Sequence, residues 1–298
     1  MPSWLAFALA SPALFGASTI IDKFLIDKRI KDPVFLTAFG GFIVLAGAAA
    51  IFAIRGFGTL PGGQIAALIA IGIMDEIALV PYYKALSYDD ASSIMPFFQL
   101  VPVLVLTFSY FFLREALTAA QVAAFVLILS GSFLLAAEKI DAGMFRPRKS
   151  LPWVVLTSVL WAAPAVIFKS MTVDRGFWHA AAYTLLGIAA GAFILFAASY
   201  RRSIAQLGVL RADTWAAVGM NEVIYFLGQM FWFYAIALGP VSLVSVMGGL
   251  IPLFVFLYGT AISLWLPKIL REDLSRGTVM LKIAALALVL GGVWFINR

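Results

Sequence analysis

The sequence predicts an all-α integral membrane fold with ten transmembrane helices, arranged as two inverted five-helix repeats. Three observations predict it. Of the 298 residues, 63% are hydrophobic and 12% charged, and the mean hydropathy is +1.01. A soluble domain carries about a quarter charged residues, so this chain lacks the polar surface needed to face water on all sides. Its apolar runs repeatedly exceed the roughly 18–20 residues that cross about 30 Å of hydrocarbon. Finally, short matched motifs recur in the same order in both halves of the chain.

Helices are expected over 4–25, 33–54, 64–86, 91–113, 118–136, 152–173, 178–200, 213–237, 241–266 and 278–296. The opening MPSWLAFALASP contains an A-x-A-like ALA. It has no basic segment and only a short leading apolar core, so the first helix is expected to be retained. Pro12, Pro81, Pro96, Pro102, Pro164 and Pro252 fall inside predicted helices, and GIAAG (187–191) is a GxxxG. Kinks and close helix packing account for these. The connections are short, and the longest, around EKIDAGMFRPRKSLP, falls midway. It divides a first repeat, 1–137, from a second, 152–298, with 138–151 as linker.

The repeat rests on ordered matches. LFGASTIIDKF (14–24) aligns with LWAAPAVIFKS (160–170), placing Lys23 over Lys169 at an offset of 146. The same offset sets GIMDEI (72–77) over VGMNEV (218–223), and so Glu76 over Glu222. LREAL (113–117) echoes LREDL (270–274), and Pro102 matches Pro252 after small insertions. Four matches in one order point to duplication. Five helices per half is an odd number, so the second half enters the membrane with opposite polarity. Inverted repeats of this kind place a small-molecule site near the midplane between them.

Several chemistries are excluded or disfavoured. No cysteine occurs, which removes disulfides, thiol nucleophiles and thiolate metal sites. The single histidine, His179, lies near a helix start and reads as an interfacial residue; no metal or cofactor is expected. The net charge of +6 comes from basic residues scattered through short loops, a topology signature and not a nucleic-acid face.

The candidate site is acidic. In IGIMDEIALVPYYKAL (71–86), Asp75 and Glu76 sit in a strongly apolar stretch. Carboxylates at such depth cost about 2.5–3.5 kcal/mol against lipid, and survive where they face a protein interior or a watery cavity. Glu76 and Glu222 are related by the repeat and are expected to face one central cavity. At helical spacings from Glu222 lie Tyr225, Gln229 and Trp232; Tyr83 shares the face of Glu76, and Tyr82 that of Asp75. Acid, amide and aromatic rims suit an amphiphilic small molecule, with cation–π contacts available. Desolvation favours the neutral form of a carboxylate, the physical basis for proton coupling. The alternative is an acid paired with a lysine or tyrosine to hold the bundle. Lys23 and Lys169, at equivalent helix ends, read equally as snorkelling residues or as an anion-binding pair or counter-charges for the glutamates.

This pattern resembles the drug/metabolite transporter superfamily, in its ten-helix EamA-type branch. The resemblance spans essentially the whole chain. It rests on the two five-helix halves, the Pro-containing VPVLVLTFSYFFLREAL (101–117), and the LREAL and LREDL endings, similar to an L-G-E-x-L motif. Arg114 and Arg271 stand where that motif has glycine. The resemblance implies a cavity among helices 1, 3, 4, 6, 8 and 9, with outward and inward states exchanging around it. By helix membership it adds Trp161 and Gln99 to the lining. It also implies traffic of small metabolites, often amino acids, drugs or sugar phosphates.

Topology gives two answers. Most of the 21 lysines and arginines fall on one side by alternating loops; the other holds Arg55, Arg114, Lys169, Arg175 and Arg298. The positive-inside rule then puts both termini outside, whereas the resemblance puts them in the cytoplasm. The reading is a secondary transporter of a small organic solute, an amino acid or organic cation, with protons as coupling ion. It would work as a monomer or homodimer in the lipid bilayer of a bacterial inner (plasma) membrane. An anion or sugar-phosphate exchanger using the lysine pair is the alternative. An enzyme lacks a histidine cluster, H-E-x-x-H or nucleophile–base pair, and a channel more naturally forms an oligomeric pore.

Overall fold

The computed structural model describes residues 2–30, 33–89, 94–137, 148–172, 176–207, 211–265 and 276–296. Most of the linker and the whole LREDL motif lie outside the described residues. The helices are α1 (Ser3–Lys28), α2 (Pro33–Arg55), α3 (Gly62–Ile77), α4 (Leu79–Leu86), α5 (Leu100–Phe108) and α6 (Ala119–Ala136) in the first half. The second half carries α7 (Leu151–Thr172), α8 (Phe177–Leu207), α9 (Ala212–Leu238), α10 (Val241–Gly248), α11 (Ile251–Trp265) and α12 (Arg276–Ile296). A 3₁₀ segment, Met95–Gln99, precedes α5, and a π turn, Ser109–Leu113, follows it.

Helices form where apolar runs predict them, and prolines decide where they break. Proline lacks an N–H and its ring crowds the carbonyl four residues earlier. Pro81 opposes Ile77, and α3 gives way to α4 at Ala78, just past Asp75 and Glu76. Pro102 opposes Phe98, where the 3₁₀ segment turns into α5. Pro252 opposes Gly248, and α10 ends at that glycine before α11 starts at Ile251. Each break leaves backbone polar groups to be satisfied inside the bundle.

The bundle is a multi-pass integral membrane protein. Among the described residues, eight helical stretches are long and apolar enough to cross a membrane, two fewer than the ten expected. The described apolar part of α12, Met280–Ile296, is short. The other stretch is α9, whose apolar run is diluted by Asn221, Glu222 and Gln229.

Packing brings the halves together. Helix α1 lies along α9 and touches α11; α2 and α3 both pack on α8; α6 pairs with α12; and α7 lies against α3, α4 and α5. The α3–α8 approach is close because Gly72 and Gly187 face backbone: a Cβ at either would collide with the opposite chain. Gly187 and Gly191 therefore act as the packing pair that GIAAG predicts. Phe168 stacks on Phe233, with ring centroids 4.5 Å apart, tying α7 to α9.

Candidate functional site

Three carboxylates from three helices follow one another along α9, Asp22 within electrostatic reach of Glu222 and Glu222 within reach of Glu76. Asn221, only 1% exposed, turns its side chain to α1, and its amide N–H donates to Asp22 Oδ1 at 2.8 Å. The next residue, Glu222, is hydrogen-bonded to the same Asn221 side chain and lies within electrostatic reach of Asp22. Glu76, from α3, is in turn within reach of Glu222. Glycines make room for both glutamates. The Glu222 carboxylate sits where a Cβ of Gly40 on α2 would be, and the Glu76 stem passes Gly191 on α8, 2.7 Å from the corresponding position.

Tyrosines rim this cluster. Tyr83 hydrogen-bonds the Thr37 side chain and is within electrostatic reach of Asp22 and Glu76. Tyr225 is within reach of Asp22, Asp75, Glu76 and Glu222 together. It nevertheless keeps 36% of its surface exposed.

Asp75 faces elsewhere. It lines a small cavity with Trp161, Gln229, Trp232, Thr184 and Phe168. Trp161 donates its indole N–H to the Asp75 carbonyl at 3.3 Å. Its ring meets Tyr82 at 5.7 Å and Phe98 at 5.5 Å, forming an aromatic wall. The sequence-predicted residues thus divide into two groups: Glu76, Glu222, Tyr83 and Tyr225 by the acid cluster, and Asp75, Trp161, Gln229 and Trp232 at the cavity, with Tyr82 in its wall.

Gln99 joins neither group. Its side-chain oxygen lies against Gly249, beside Ser132 Oγ, where the breaks after Gln99 and after Gly248 meet. Neither oxygen has a protein hydrogen-bond partner.

The two lysines part company. Lys23 is exposed on α1. Lys169 Nζ donates to the carbonyls of Ile236 at 2.9 Å, Ala237 at 3.1 Å and Gly239 at 2.9 Å, capping the C-terminus of α9. Its electrostatic partner is Glu115 and not a cluster acid. Glu115 accepts from the Val241 N–H at 3.0 Å and the Ser242 N–H at 3.1 Å, which caps the start of α10. One lysine and one glutamate therefore fasten both sides of the Gly239–Pro240 corner, with Trp4 packed over Gly239. Cations at a helix C-terminus and anions at an N-terminus each match the helix dipole. Arg114, just before Glu115, adopts φ +57. That left-handed conformation explains why glycine suits the corresponding motif position. His179 lies near the start of α8, its Nε2 3.4 Å from the Arg55 carbonyl.

Asp22 is the functional candidate that sequence reasoning missed. A signal for it existed: Ser11, Ser18 and Asp22 recur at spacings of seven and four, one face of a helix. Both serines are buried.

Chemically, the cluster is an acceptor site for cations or protons. Among the described residues no lysine or arginine forms an ion pair with Asp22, Asp75, Glu76 or Glu222. Nor does any group of three acidic or histidine side chains converge closely enough to hold a metal ion. Glu76 Oε2 and Asn221 Oδ1 are buried without a protein partner.

Among the described residues the bundle thus combines repeated membrane-crossing helices with acids that have no basic ion-pair partner. Residues 2–137 match the model of the EamA-like transporter family. A solved structure, described only as a crystal structure of a protein, is similar over 99% of this chain and 96% of its own, with a TM-score of 0.73 and 19% identity. At that identity the likeness concerns the fold alone. No curated protein matches the sequence.

Proposed function

We propose that the protein is a secondary active transporter of a small ammonium-bearing solute, an amino acid or organic cation, coupled to protons. The two halves, 1–137 and 152–298, are inverted repeats that exchange access to the chamber between them, in a bacterial inner membrane. One observation carries this reading: Asp22, Glu222 and Glu76 lie in succession on three helices, and among the described residues none forms an ion pair with a lysine or arginine. Carboxylates withdrawn from water are neutralised by a proton or by a cation. A site that accepts either, at different times, is the minimum equipment of a proton-coupled carrier.

Lys169 favours the cationic over the anionic reading, because its ammonium is engaged by three carbonyls and by Glu115. An anion exchanger built on the lysine pair would need that ammonium free.

Transport into proteoliposomes under an imposed pH gradient tests the proposal, with a panel of amino acids, organic cations and phosphorylated metabolites. Accumulation of an ammonium-bearing solute, lost in Glu76→Gln or Glu222→Gln, is the expected result. Accumulation of a phosphorylated metabolite alone, or equal transport by all three proteins, would contradict it.

A further inference from the structure

The chamber presents two acidic subsites, not one. At the first, Asp22 and Glu222 flank Asn221, which is only 1% exposed and holds its Oδ1 without a partner, and Glu76 lies within electrostatic reach of Glu222. That oxygen belongs to a side chain whose amide nitrogen is fixed on Asp22, so the free acceptor lies beside that carboxylate. At the second, Asp75 lines the cavity of Trp161, Gln229 and Trp232. Helix α9 joins the two. Glu222 and Gln229 lie two turns apart on one face, about 10 Å along the axis, with Tyr225 between them and within electrostatic reach of all four acids.

The charge to be matched is large and spread out. A metal ion does not fit, since no three acidic side chains converge on one point among the described residues. A single ammonium matches one subsite and leaves the other. A flexible chain with an ammonium at each end matches both, and its methylenes find an aromatic surface at Tyr225 and at Trp161 with its neighbours. Cation–π attraction at Trp161 adds to the Asp75 charge.

We propose that the transported solute is a linear aliphatic diamine or polyamine. One ammonium sits among Asp22, Asn221 and Glu222, and a second is held by Asp75 beside Trp161. This rests on the cation-carrier reading above and narrows its substrate class.

Binding to the purified full-length protein in detergent, followed by the fluorescence of Trp161 and Trp232, tests the proposal with cadaverine, pentylamine and tetraethylammonium. Cadaverine should bind at least about tenfold more tightly than pentylamine. Asp75→Asn should abolish that preference by weakening cadaverine while leaving pentylamine within about twofold. Asp75→Glu, which keeps the charge, should retain the preference and guards against a folding defect in the asparagine variant. Equal affinity of cadaverine and pentylamine for the wild type overturns the two-point site. So does an equal loss of both amines in Asp75→Asn with the preference intact. If pentylamine or tetraethylammonium binds and is transported without any advantage for cadaverine, the diamine proposal fails and the cation-carrier reading stands. If none of the three binds or is transported, both fail.

Discussion

Two sets of charged residues sit inside the same apolar bundle, and they are finished differently. At the Gly239–Pro240 corner, Lys169 donates to three carbonyls while Glu115 accepts two backbone N–H groups. Both charges face the helix termini that favour them. Beside α9, Asp22 and Glu222 flank one amide and Glu76 lies within reach of Glu222, with Glu76 Oε2 and Asn221 Oδ1 unpartnered and, among the described residues, no basic residue in ion-pair contact. The first arrangement uses charge to fix backbone. In the proposed carrier, the second holds charge in readiness for a proton or cation that comes and goes. Completeness of hydrogen bonding, more than depth or sequence context, separates the corner charges from the acids of the proposed site.

Mutations that act on one set and spare the other sharpen this contrast. The largest effect on the folded state is expected from Lys169→Met. It frees three carbonyls and leaves Glu115 without its lysine, at a cost of about 3 kcal/mol. Thermal unfolding in detergent should register it as a clear fall in midpoint. Glu222→Gln should do the reverse, with transport falling by about a hundredfold and stability staying within about 1 kcal/mol. Asp22→Asn comes next, with transport reduced by about tenfold, since the neighbouring acids still offer a cation partial compensation. Smallest is Arg114→Gly. The φ of +57 is costly for an L residue, so glycine should raise stability by about 1 kcal/mol without altering transport. A loss of transport in Lys169→Met at temperatures where the protein stays folded would blur the distinction.

Much of this could be read in the sequence. Apolar runs located the helices, and Pro81, Pro102 and Pro252 marked places where they break. Glu76 and Glu222 were legible because an M-x-E core recurs, and GIAAG because small residues at that spacing permit close approach. Asp22 was hidden beside Lys23 at a helix end, where an acid and a base side by side suggest an interface. Its role depends on Asn221, 199 residues away in sequence. Lys169 was equally opaque, because the carbonyls it caps come from a helix 67–70 residues further on. The split between Asp75 and Glu76 follows from the angle of about 100° between adjacent residues on a helix. Which way each one turns is decided by the partners, Gly191 for one and the Trp161 cavity for the other.

The most direct test of the central claim is proton movement itself. Proteoliposomes loaded with a pH-sensitive dye would receive an ammonium-bearing solute that the wild type transports, with no imposed gradient. The account predicts a change of internal pH with the wild type and none with Glu222→Gln, while a Lys169→Arg variant behaves as wild type. An identical pH response from Glu222→Gln and wild type would contradict it, and would make the acids beside α9 part of the scaffold.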